Sequence, residues 1–334
     1  MAEIDIVVAI VSYRSAALTI ECLQSIDADR TAPGLRIRTI VVDNASGDAP
    51  TIARAIEANS WSSWVTLIEA PRNGGFSYGN NLALRYASEK QRPDYLYLLN
   101  PDTLVRKGAI GALARFLETH PVVGIAGSSF EELDGADWPI AFRFPSLLSE
   151  IEGGLHLGFA TRLLKRWKVA VRMNKVPQPI DWVSGASMMI RNEVFDAIGG
   201  FDEKYFLYFE ETDFCLRARK AGFSTWYVPE SRVMHMGGQS TGVTTPDVPL
   251  KRLPSYWFES RRRYFVVSYG RVYSVAVDLV ALLAHALGSF KRIVQGRRDQ
   301  RIPHFLWDLT CHSTIWPTNR RAAAAKACTP SFEQ

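Results

Sequence analysis

Strand-like and helix-like segments alternate along the first 200 residues, and this alternation constrains the fold more than any other feature. Apolar runs of strand length lie at residues 4–11, 37–42, 64–69, 95–99 and 122–127. Apolar side chains with helical spacing lie between them, at residues 17–26, 80–87 and 109–117. Strands that alternate with helices predict a mainly parallel sheet with helices on both faces. The sequence therefore predicts an α/β, Rossmann-like fold for this part of the chain.

The last 89 residues differ in charge from the rest. Residues 246–334 carry a net formal charge of +8, whereas residues 1–245 carry −3. Within this region an apolar run at residues 273–287 has basic side chains on both sides: Arg261, Arg262, Arg263, Arg271, Lys291, Arg292, Arg297, Arg298 and Arg301. We therefore predict an α/β domain at residues 1–245 and a basic, amphipathic helical appendage at residues 246–334.

Two kinds of partner fit the basic region. An apolar helix with basic flanks is typical of contact with an anionic membrane surface, here through residues 261–301. The alternative is a helix packed on the α/β domain or on a second copy of the chain in a homodimer. Asp278 and His285 interrupt the run, and a spanning helix needs about 20 apolar residues. No nucleic-acid-binding motif accompanies the charge, so we expect no nucleic-acid partner.

Three carboxylates, Glu210, Glu211 and Asp213, follow an aromatic run at residues 205–209. Like charges crowded beside apolar surface raise the pKa of a carboxyl group, which suits a general base. The same acids also suit the first turn of a helix, where negative charge is favoured. In such a helix Asp213 and Arg217 are four residues apart, which places them to form a supporting ion pair. Both interpretations remain open, because a helix N-terminus also holds a catalytic acid in place.

A second polar element ends the strand at residues 95–99, where Asn100, Pro101 and Asp102 follow. Pro101 removes a donor from the sheet ladder, so Asn100 and Asp102 project from the carboxyl end of the strand. Ligands of open α/β sheets bind at that edge. An amide oxygen and a carboxylate suit a hard divalent cation that also takes diphosphate oxygens. A plain Asx-Pro turn is the alternative.

Together these segments resemble the inverting glycosyltransferases of family 2, which have the GT-A fold, and in particular their rhamnosyltransferase-like branch. The resemblance rests on an ordered series at residues 7–13, 40–46, 73–81, 98–102, 185–191, 199–203 and 209–217, with His235 near its end. It implies transfer of a sugar from a dTDP- or UDP-sugar. L-Rhamnose is the first choice, and galactofuranose, glucose and an amino sugar are the alternatives. The implied acceptor is a glycan or a polyprenyl-diphosphate-linked glycan of cell-surface polysaccharide synthesis. The implied cofactor is a divalent cation, Mg²⁺ or Mn²⁺.

The resemblance also implies roles for individual residues. Glu211 is the expected catalytic base. Glu210 and Asp213 are the other candidates, because most relatives carry Glu-Asp where this chain has Glu210-Glu211. Asp102 and His235 are the expected metal ligands, and Asp43 is expected to accept from the imide N–H of uracil or thymine. The expected nucleotide-sugar-binding residues are Ser12, Tyr13, Asp43, Asn44, Arg72, Asn73, Gly75, Phe76, Asn80, Asn100, Asp102 and Gly185.

Other functions fit parts of the pattern. A nucleotidyltransferase shares the architecture and ligands, but residues 7–14 contain no glycine and lack a glycine-rich basic loop. A sugar-nucleotide-binding module without activity is expected to lose the acids that this chain keeps. A polymer-exporting synthase needs several long apolar segments, and this sequence does not have them.

Two further features bear on location. The first five residues lack the basic start of a signal peptide. The four cysteines show no CxxC spacing, which predicts neither a zinc site nor a disulfide framework. We therefore expect a cytoplasmic protein, peripheral at the inner face of the cytoplasmic membrane.

Overall fold

The computed structural model describes residues 3–132, 134–138, 140–155, 162–236, 251–295 and 302–316. The chain divides into two compact units. The first comprises Met1–Phe142, Val171–Phe206 and Glu210–Gln239, and the second comprises Arg143–Ala170, Leu207–Phe209 and Ser240–Gln334. The predicted boundary at residue 245 lies outside the described residues. Two internal segments, Arg143–Ala170 and Leu207–Phe209, join the second unit, which the charge pattern did not predict.

A ten-stranded mixed sheet forms the first unit. The strands of the chain are β1 (Ile4–Ser12), β2 (Leu35–Asp43), β3 (Val65–Glu69), β4 (Tyr95–Leu99), β5 (Thr103–Val105), β6 (Val123–Glu131), β7 (Asp137–Trp138), β8 (Ile140–Phe142), β9 (Ala170–Arg172), β10 (Gln178–Ile180), β11 (Ser187–Arg191) and β12 (Ser224–His235). The sheet order is β10-β12-β6-β11-β4-β1-β2-β3, with β5 beside β12 and β7 beside β6, while β8 pairs with β9. Strands β4, β1, β2 and β3 are mutually parallel, and β11 runs antiparallel to both of its neighbours.

The helices of the first unit are α1 (Ala16–Asp29), α2 (Ala49–Ala58), α3 (Gly75–Lys90), α4 (Ala109–Thr119), α6 (Asn192–Ile198) and α7 (Glu210–Lys220). Helix α3 packs on β1 and β2, and α4 packs on β6 and β12. Strand β4 is buried at every position, which explains its continuous apolar and aromatic sequence. The predicted α/β fold is confirmed. Strand β11 begins at Ser187, where the Ser187 N–H closes a turn on the Ser184 carbonyl at 3.2 Å.

A chain of buried hydroxyl groups crosses four adjacent strands. Tyr97 on β4 hydrogen-bonds to Ser187 on β11 at 2.7 Å, and Ser187 hydrogen-bonds to Ser128 on β6 at 2.6 Å. Ser128 in turn hydrogen-bonds to Ser231 on β12 at 2.7 Å. Buried polar side chains are stable only when they are paired, so these four residues fix the relative positions of their strands.

The second unit is helical, with α5 (Leu147–Leu155), α8 (Ser255–Tyr269), α9 (Arg271–Val294) and α10 (Phe305–His312). Arg261 is only 2% exposed, so its assignment to a basic surface flank is wrong. Its guanidinium lies 2.6 Å from Asp278 Oδ1 and 3.1 Å from Glu150 Oε2. The second oxygen of Asp278 accepts from Thr314 N–H at 2.6 Å. Asp278 interrupts the apolar run of α9 because it neutralises this buried cation.

Helix α9 is the one helix among the described residues whose length and hydropathy would suit a membrane span, and core helices of soluble proteins meet the same criterion. Helix α5 packs closely against the buried side of α9, where a Cβ on Gly288 would lie 2.2 Å from the Gly154 carbonyl oxygen. The other side exposes large apolar side chains: Val272, Leu279, Leu283, Leu287, Phe290, Ile293 and Val294. We call this set the α9 apolar face.

Two cysteines of the first unit are buried free thiols, Cys22 and Cys215. Burial raises the pKa of each to about 12, so both stay protonated at neutral pH. Cys311 is disulfide-bonded. The cysteine spacing predicted no disulfide framework and gave no sign of this single bond. The spacing of cysteines in a sequence does not reveal a pair that folding brings together.

Candidate active site

A polar loop meets the carboxyl ends of β1 and β2. Asn44 follows β2, and its backbone N–H donates to the Ser12 carbonyl at 2.8 Å. The Asn44 side chain donates to Asn73 Oδ1 at 3.0 Å and to the Gly75 carbonyl at 3.1 Å, and it accepts from Gly74 N–H at 3.3 Å. Asn44 therefore holds the loop at residues 73–75 against the edge of the sheet.

Gly75 begins α3 at a point of very close backbone approach. Its φ is +82°, and a Cβ at this position would lie 2.0 Å from the Phe206 carbonyl oxygen. The same carbonyl accepts from Phe76 N–H at 2.9 Å. Only glycine fits both the left-handed backbone and the missing space. The loop is thereby tied to the segment that precedes the acidic helix α7.

Glu211 lies in the first turn of α7 and is half-buried. Its side chain contacts Gly185, which lies close to Phe76. Its Oε1 accepts from Gly185 N–H at 3.0 Å. A Cβ on Gly185 would lie 2.7 Å from Phe76 Cζ and 2.9 Å from Glu211 Oε1. Burial raises the pKa of Glu211, and backbone N–H donors partly offset that rise. The structure thus brings Phe76, Gly185 and Glu211 together around a carboxylate suited to general base chemistry.

The two other acids of α7 lie in different surroundings. Asp213 is buried and pairs with Arg217 at 2.8 Å, the i, i+4 pair that the sequence predicted. Arg217 also donates to the carbonyls of Ile198 and Gly200 at 2.8 and 3.0 Å. Asp213 therefore anchors α7 to the preceding turn. Glu210 is only 2% exposed. All three acids lie in the first turn of the helix, so the helix-start interpretation is confirmed. The catalytic interpretation stays a prediction.

Asp102 and His235 come together as the metal-ligand prediction requires. Pairing of β5 with β12 places His235 opposite Thr103, and His235 Nε2 lies 3.4 Å from Asp102 Oδ1. Asp102 is 3% exposed, and its Oδ1 has no hydrogen-bond partner among the described residues. A buried carboxylate oxygen that faces an imidazole nitrogen and has no donor suits a divalent cation.

In the described part of the chain, acids, histidines and cysteines supply no further ligands for such a cation. Within the described residues no group of three or more of these side chains is placed to hold a metal. A cation here would complete its shell with diphosphate oxygens and water, which is usual for Mg²⁺. Asn100 anchors the strand end through its backbone, since its N–H donates to the Ala186 carbonyl at 3.2 Å.

Asp43 is engaged locally. Its Oδ1 accepts from the backbone N–H and the hydroxyl of Ser46, and its Oδ2 accepts from Ala49 N–H at 3.3 Å. These bonds organise the start of α2. The predicted contact with a pyrimidine imide remains a prediction, and it requires one of these carboxylate oxygens to accept a further bond.

Two predicted binding residues, Tyr13 and Arg72, are exposed and take part in cation–π contacts. Tyr13 is 42% exposed, and the guanidinium of Arg14 lies 5.2 Å from its ring centroid. Arg72 is exposed, and its guanidinium lies 4.5 Å from the Tyr78 ring centroid. These cation–π contacts orient both side chains without burying them.

Two other predicted residues are buried. Ser12 accepts from the Thr19 hydroxyl at 2.9 Å, which ties β1 to α1. Asn80 on α3 donates to the Phe76 carbonyl at 3.0 Å. Its Oδ1 is buried and has no hydrogen-bond partner among the described residues. That acceptor is open to a donor from a ligand or a water molecule.

Sequence reasoning missed two residues that build the site. Phe206 acts through its carbonyl oxygen, and no side-chain pattern reveals that role. Asn81 donates to the Phe201 carbonyl at 2.8 Å and accepts from Phe201 N–H at 2.9 Å. A side-chain amide that satisfies both backbone groups of one residue fixes the turn that leads into the acidic segment. The sequence signal that could have revealed Asn81 is its position two residues after Gly79, in an Asn-Asn pair.

Comparisons with known proteins identify the family. The family model described as glycosyltransferase-like family 2 matches residues 4–253. The chain is 34% identical over 160 residues to N-acetylglucosaminyl-diphospho-decaprenol L-rhamnosyltransferase of Mycobacterium tuberculosis, covering 47% of this chain and 51% of that protein. It is 29% identical over 164 residues to rhamnosyltransferase WbbL of Escherichia coli strain K12, covering 48% of this chain and 60% of that protein. The chain thus spans about half the length of these curated relatives.

Solved structures show the fold. The mannosyltransferase PcManGT of Pyrobaculum calidifontis, in complex with GDP-Man and Mn²⁺, is 14% identical with a TM-score of 0.53, over 98% of this chain and 85% of that one. GalNAc-T7 with UDP, GalNAc and Mn²⁺ is 16% identical with a TM-score of 0.57, over 95% of this chain and 59% of that one. The first unit has the GT-A fold, and the family model covers well over half of the sequence. The chain therefore belongs to glycosyltransferase family 2.

Proposed function

We propose that this enzyme transfers L-rhamnose from dTDP-L-rhamnose, with inversion, to a polyprenyl-diphosphate-linked glycan. The observation that carries the proposal is the placing of Glu211, a half-buried carboxylate with a raised pKa that contacts Gly185. The names of the bacterial relatives support the sugar and the acceptor class. UDP-sugars are the second donor class to test.

The reaction needs a base on the face of the sugar opposite the diphosphate. The acceptor hydroxyl oxygen attacks the anomeric carbon, a new carbon–oxygen bond forms, and the bond to the diphosphate oxygen breaks. Glu211 takes the hydroxyl proton as its carboxylate, and its raised pKa makes it a stronger base than an exposed glutamate. Gly185 N–H fixes one carboxylate oxygen, which leaves the other for the acceptor.

The diphosphate leaves with negative charge, which a bound divalent cation would neutralise as a Lewis acid. Asp102 and His235 would hold that cation, since the buried Asp102 Oδ1 faces the imidazole. The residues from Asn73 to Phe76 present backbone groups beside the sheet edge, where Gly75 allows close approach to the donor. Asn80 Oδ1 offers a buried acceptor on the same helix.

A lipid-linked acceptor implies a surface that reaches the membrane. Between residues 272 and 290 the one charged side chain is Asp278, which is buried and does not belong to the α9 apolar face. The exposed Arg271 lies at one end, and the half-buried Lys291 and Arg292 lie at the other. Arg297, Arg298 and Arg301 lie outside the described residues. Apolar side chains between basic ends suit an anionic lipid surface, and we propose peripheral contact with the inner face of the cytoplasmic membrane.

Vesicle flotation tests this contact. Vesicles that contain phosphatidylglycerol are expected to carry the protein upward more efficiently than vesicles of phosphatidylcholine alone. Leu283→Gln with Leu287→Gln is expected to weaken flotation, whereas Val267→Gln, an exposed apolar position on α8, is the control. Flotation that is equal for all three proteins would contradict the assignment of the α9 apolar face.

Donor binding and transfer test the proposed activity. We expect dTDP-L-rhamnose to raise the melting temperature, and Mg²⁺ or Mn²⁺ to increase that shift, because a ligand that binds only the native state stabilises it. Release of dTDP with N-acetylglucosaminyl-diphospho-decaprenol as acceptor then measures transfer. Glu211→Gln should keep the melting shift and lose transfer, whereas Asp196→Asn, an exposed acid on α6, should keep both. A Glu211→Gln variant with normal transfer would refute the proposal.

A further inference from the structure

The segment directly before the acidic helix has an unusual backbone. Tyr208 and Phe209 are consecutive residues with φ of 72° and 66°. Bulky side chains disfavour this left-handed region, so such residues persist only where surrounding contacts impose the conformation. Strained backbone of this kind concentrates at functional sites. The contacts that impose it are therefore of interest for the reaction.

Helix α8 supplies those contacts within the second unit. The Phe209 ring centroid lies 5.7 Å from Trp257 and 5.7 Å from Tyr264. Tyr208 stacks on Tyr256 with centroids 6.1 Å apart. The Ser260 hydroxyl, which is buried, donates to the Leu207 carbonyl at 3.0 Å. We call Tyr256, Trp257, Ser260 and Tyr264 the α8 clamp.

The segment that the α8 clamp holds is only three residues long. Before it stands Phe206, whose carbonyl accepts from Phe76 N–H at 2.9 Å beside Gly75. After it stands Glu210, the first residue of α7, and then Glu211. Three residues cannot absorb a change of backbone path without moving at least one of their ends. Covalent continuity therefore links the conformation of residues 207–209 to both the loop at residues 73–75 and the Glu211 carboxylate.

We propose that the α8 clamp positions Glu211 and the Phe206 carbonyl for sugar transfer by holding residues 207–209 in their left-handed conformation. The inference rests on the proposed function, since it takes Glu211 as the base. The clamp residues are positioning residues, because they act through the backbone of residues 207–209. A misplacement of about 1 Å at a reacting group lowers the rate by about 100-fold, so a modest loosening is enough to be measured.

Ser260→Ala is the sharpest variant, since it removes one hydroxyl and leaves the ring contacts in place. Its matched control is Ser289→Ala on α9, whose hydroxyl donates to the His285 carbonyl of its own helix at 2.6 Å. Trp257→Leu removes one ring from the clamp, and Tyr256→Leu replaces it as a test if Trp257→Leu does not fold. Each full-length variant is assayed for dTDP release from dTDP-L-rhamnose and for amide hydrogen exchange across residues 205–213.

We expect Ser260→Ala to lower kcat about 10-fold, with KM for dTDP-L-rhamnose nearly unchanged and faster exchange across residues 205–213. Trp257→Leu should lower kcat further, and Ser289→Ala should match the wild type. Unchanged kcat and unchanged exchange in both clamp variants would overturn the inference. A rise in KM for dTDP-L-rhamnose without any change in kcat, in both clamp variants, would also overturn it.

Glu211→Gln, measured in parallel, separates this inference from the proposed function. If Glu211→Gln keeps transfer, the proposed function fails, whereas hydrogen exchange still reports whether the clamp orders residues 205–213. If Glu211→Gln loses transfer while Ser260→Ala and Trp257→Leu keep wild-type kcat, the clamp inference alone fails.

Discussion

Substitution of Gly75 by alanine tests the contact between the loop at residues 73–75 and the segment that precedes α7. A Cβ at this position would lie 2.0 Å from the Phe206 carbonyl oxygen and 2.7 Å from its carbonyl carbon. Both are backbone atoms, so no side-chain rotation relieves the overlap. The chain must move by roughly 1 Å or more to restore a normal packing distance. Such a movement breaks the hydrogen bond from Phe76 N–H to the same carbonyl.

The expected loss of stability has three parts. A left-handed conformation costs an alanine about 1–2 kcal/mol. The lost hydrogen bond costs about 1 kcal/mol, and the forced repacking costs about 1–3 kcal/mol. Together they predict that Gly75→Ala lowers the free energy of unfolding of the first unit by about 3–6 kcal/mol.

Gly34→Ala is the matched control. Its φ is +79°, close to that of Gly75, but nothing lies within 4 Å of the added Cβ. It lies before the amino end of β2, at the opposite end of that strand from Asn44. Urea unfolding should therefore show a loss of only about 1–2 kcal/mol for Gly34→Ala, and donor binding should be normal. Equal losses for the two variants would refute the close-approach argument.

Three further predictions follow from the buried charges. Glu211→Gln should stabilise the protein near pH 8, because burial raises the pKa of Glu211 and its charged form opposes folding. This gain in stability should vanish as pH falls through the raised pKa toward the ordinary glutamate value of about 4.3. Urea unfolding at pH 8 and pH 4 measures it, and a gain at neither pH would contradict the burial argument. Asp102→Ala should abolish the Mn²⁺-dependent part of the dTDP-L-rhamnose melting shift, and an intact metal dependence would exclude Asp102 as a ligand. Arg261→Met should destabilise the second unit by about 3–5 kcal/mol, because Asp278 is left buried without its cation; an added Asp278→Leu should recover part of that loss in thermal unfolding, and no recovery would contradict the ion-pair explanation.

Local sequence patterns predicted the elements of the first unit well. The strand at Tyr95–Leu99 was predicted at its observed bounds, because a central strand is apolar throughout and ends at a proline. The pairing of Asp213 with Arg217 also followed from helical spacing alone. The proximity of Asp102 and His235 followed from the family resemblance, since these residues are 133 positions apart and no local pattern joins them.

Contacts between backbone atoms and distant elements were beyond local patterns. The role of Phe206 lies in its carbonyl oxygen, which every residue type has. Arg261 was assigned to a basic surface because charge runs in a sequence do not show which member is buried. Its partners, Glu150 and Asp278, are 111 and 17 residues away. The inclusion of Leu207–Phe209 in the second unit likewise depends on aromatic contacts that no spacing rule contains.

The hydroxyl chain from Tyr97 to Ser231 limits how this sheet can change during evolution. Each hydroxyl has one proton to give and two lone pairs that accept, so neither Ser187 nor Ser128 can donate both of its bonds in this chain. An alanine at Ser187 would leave Tyr97 without its donor or acceptor and would break the link to Ser128, all within a site closed to water. Stepwise replacement therefore passes through intermediates that are less stable than either end point. We expect these four positions to exchange between polar and apolar residues as a set, which makes them a marker of common descent within the family.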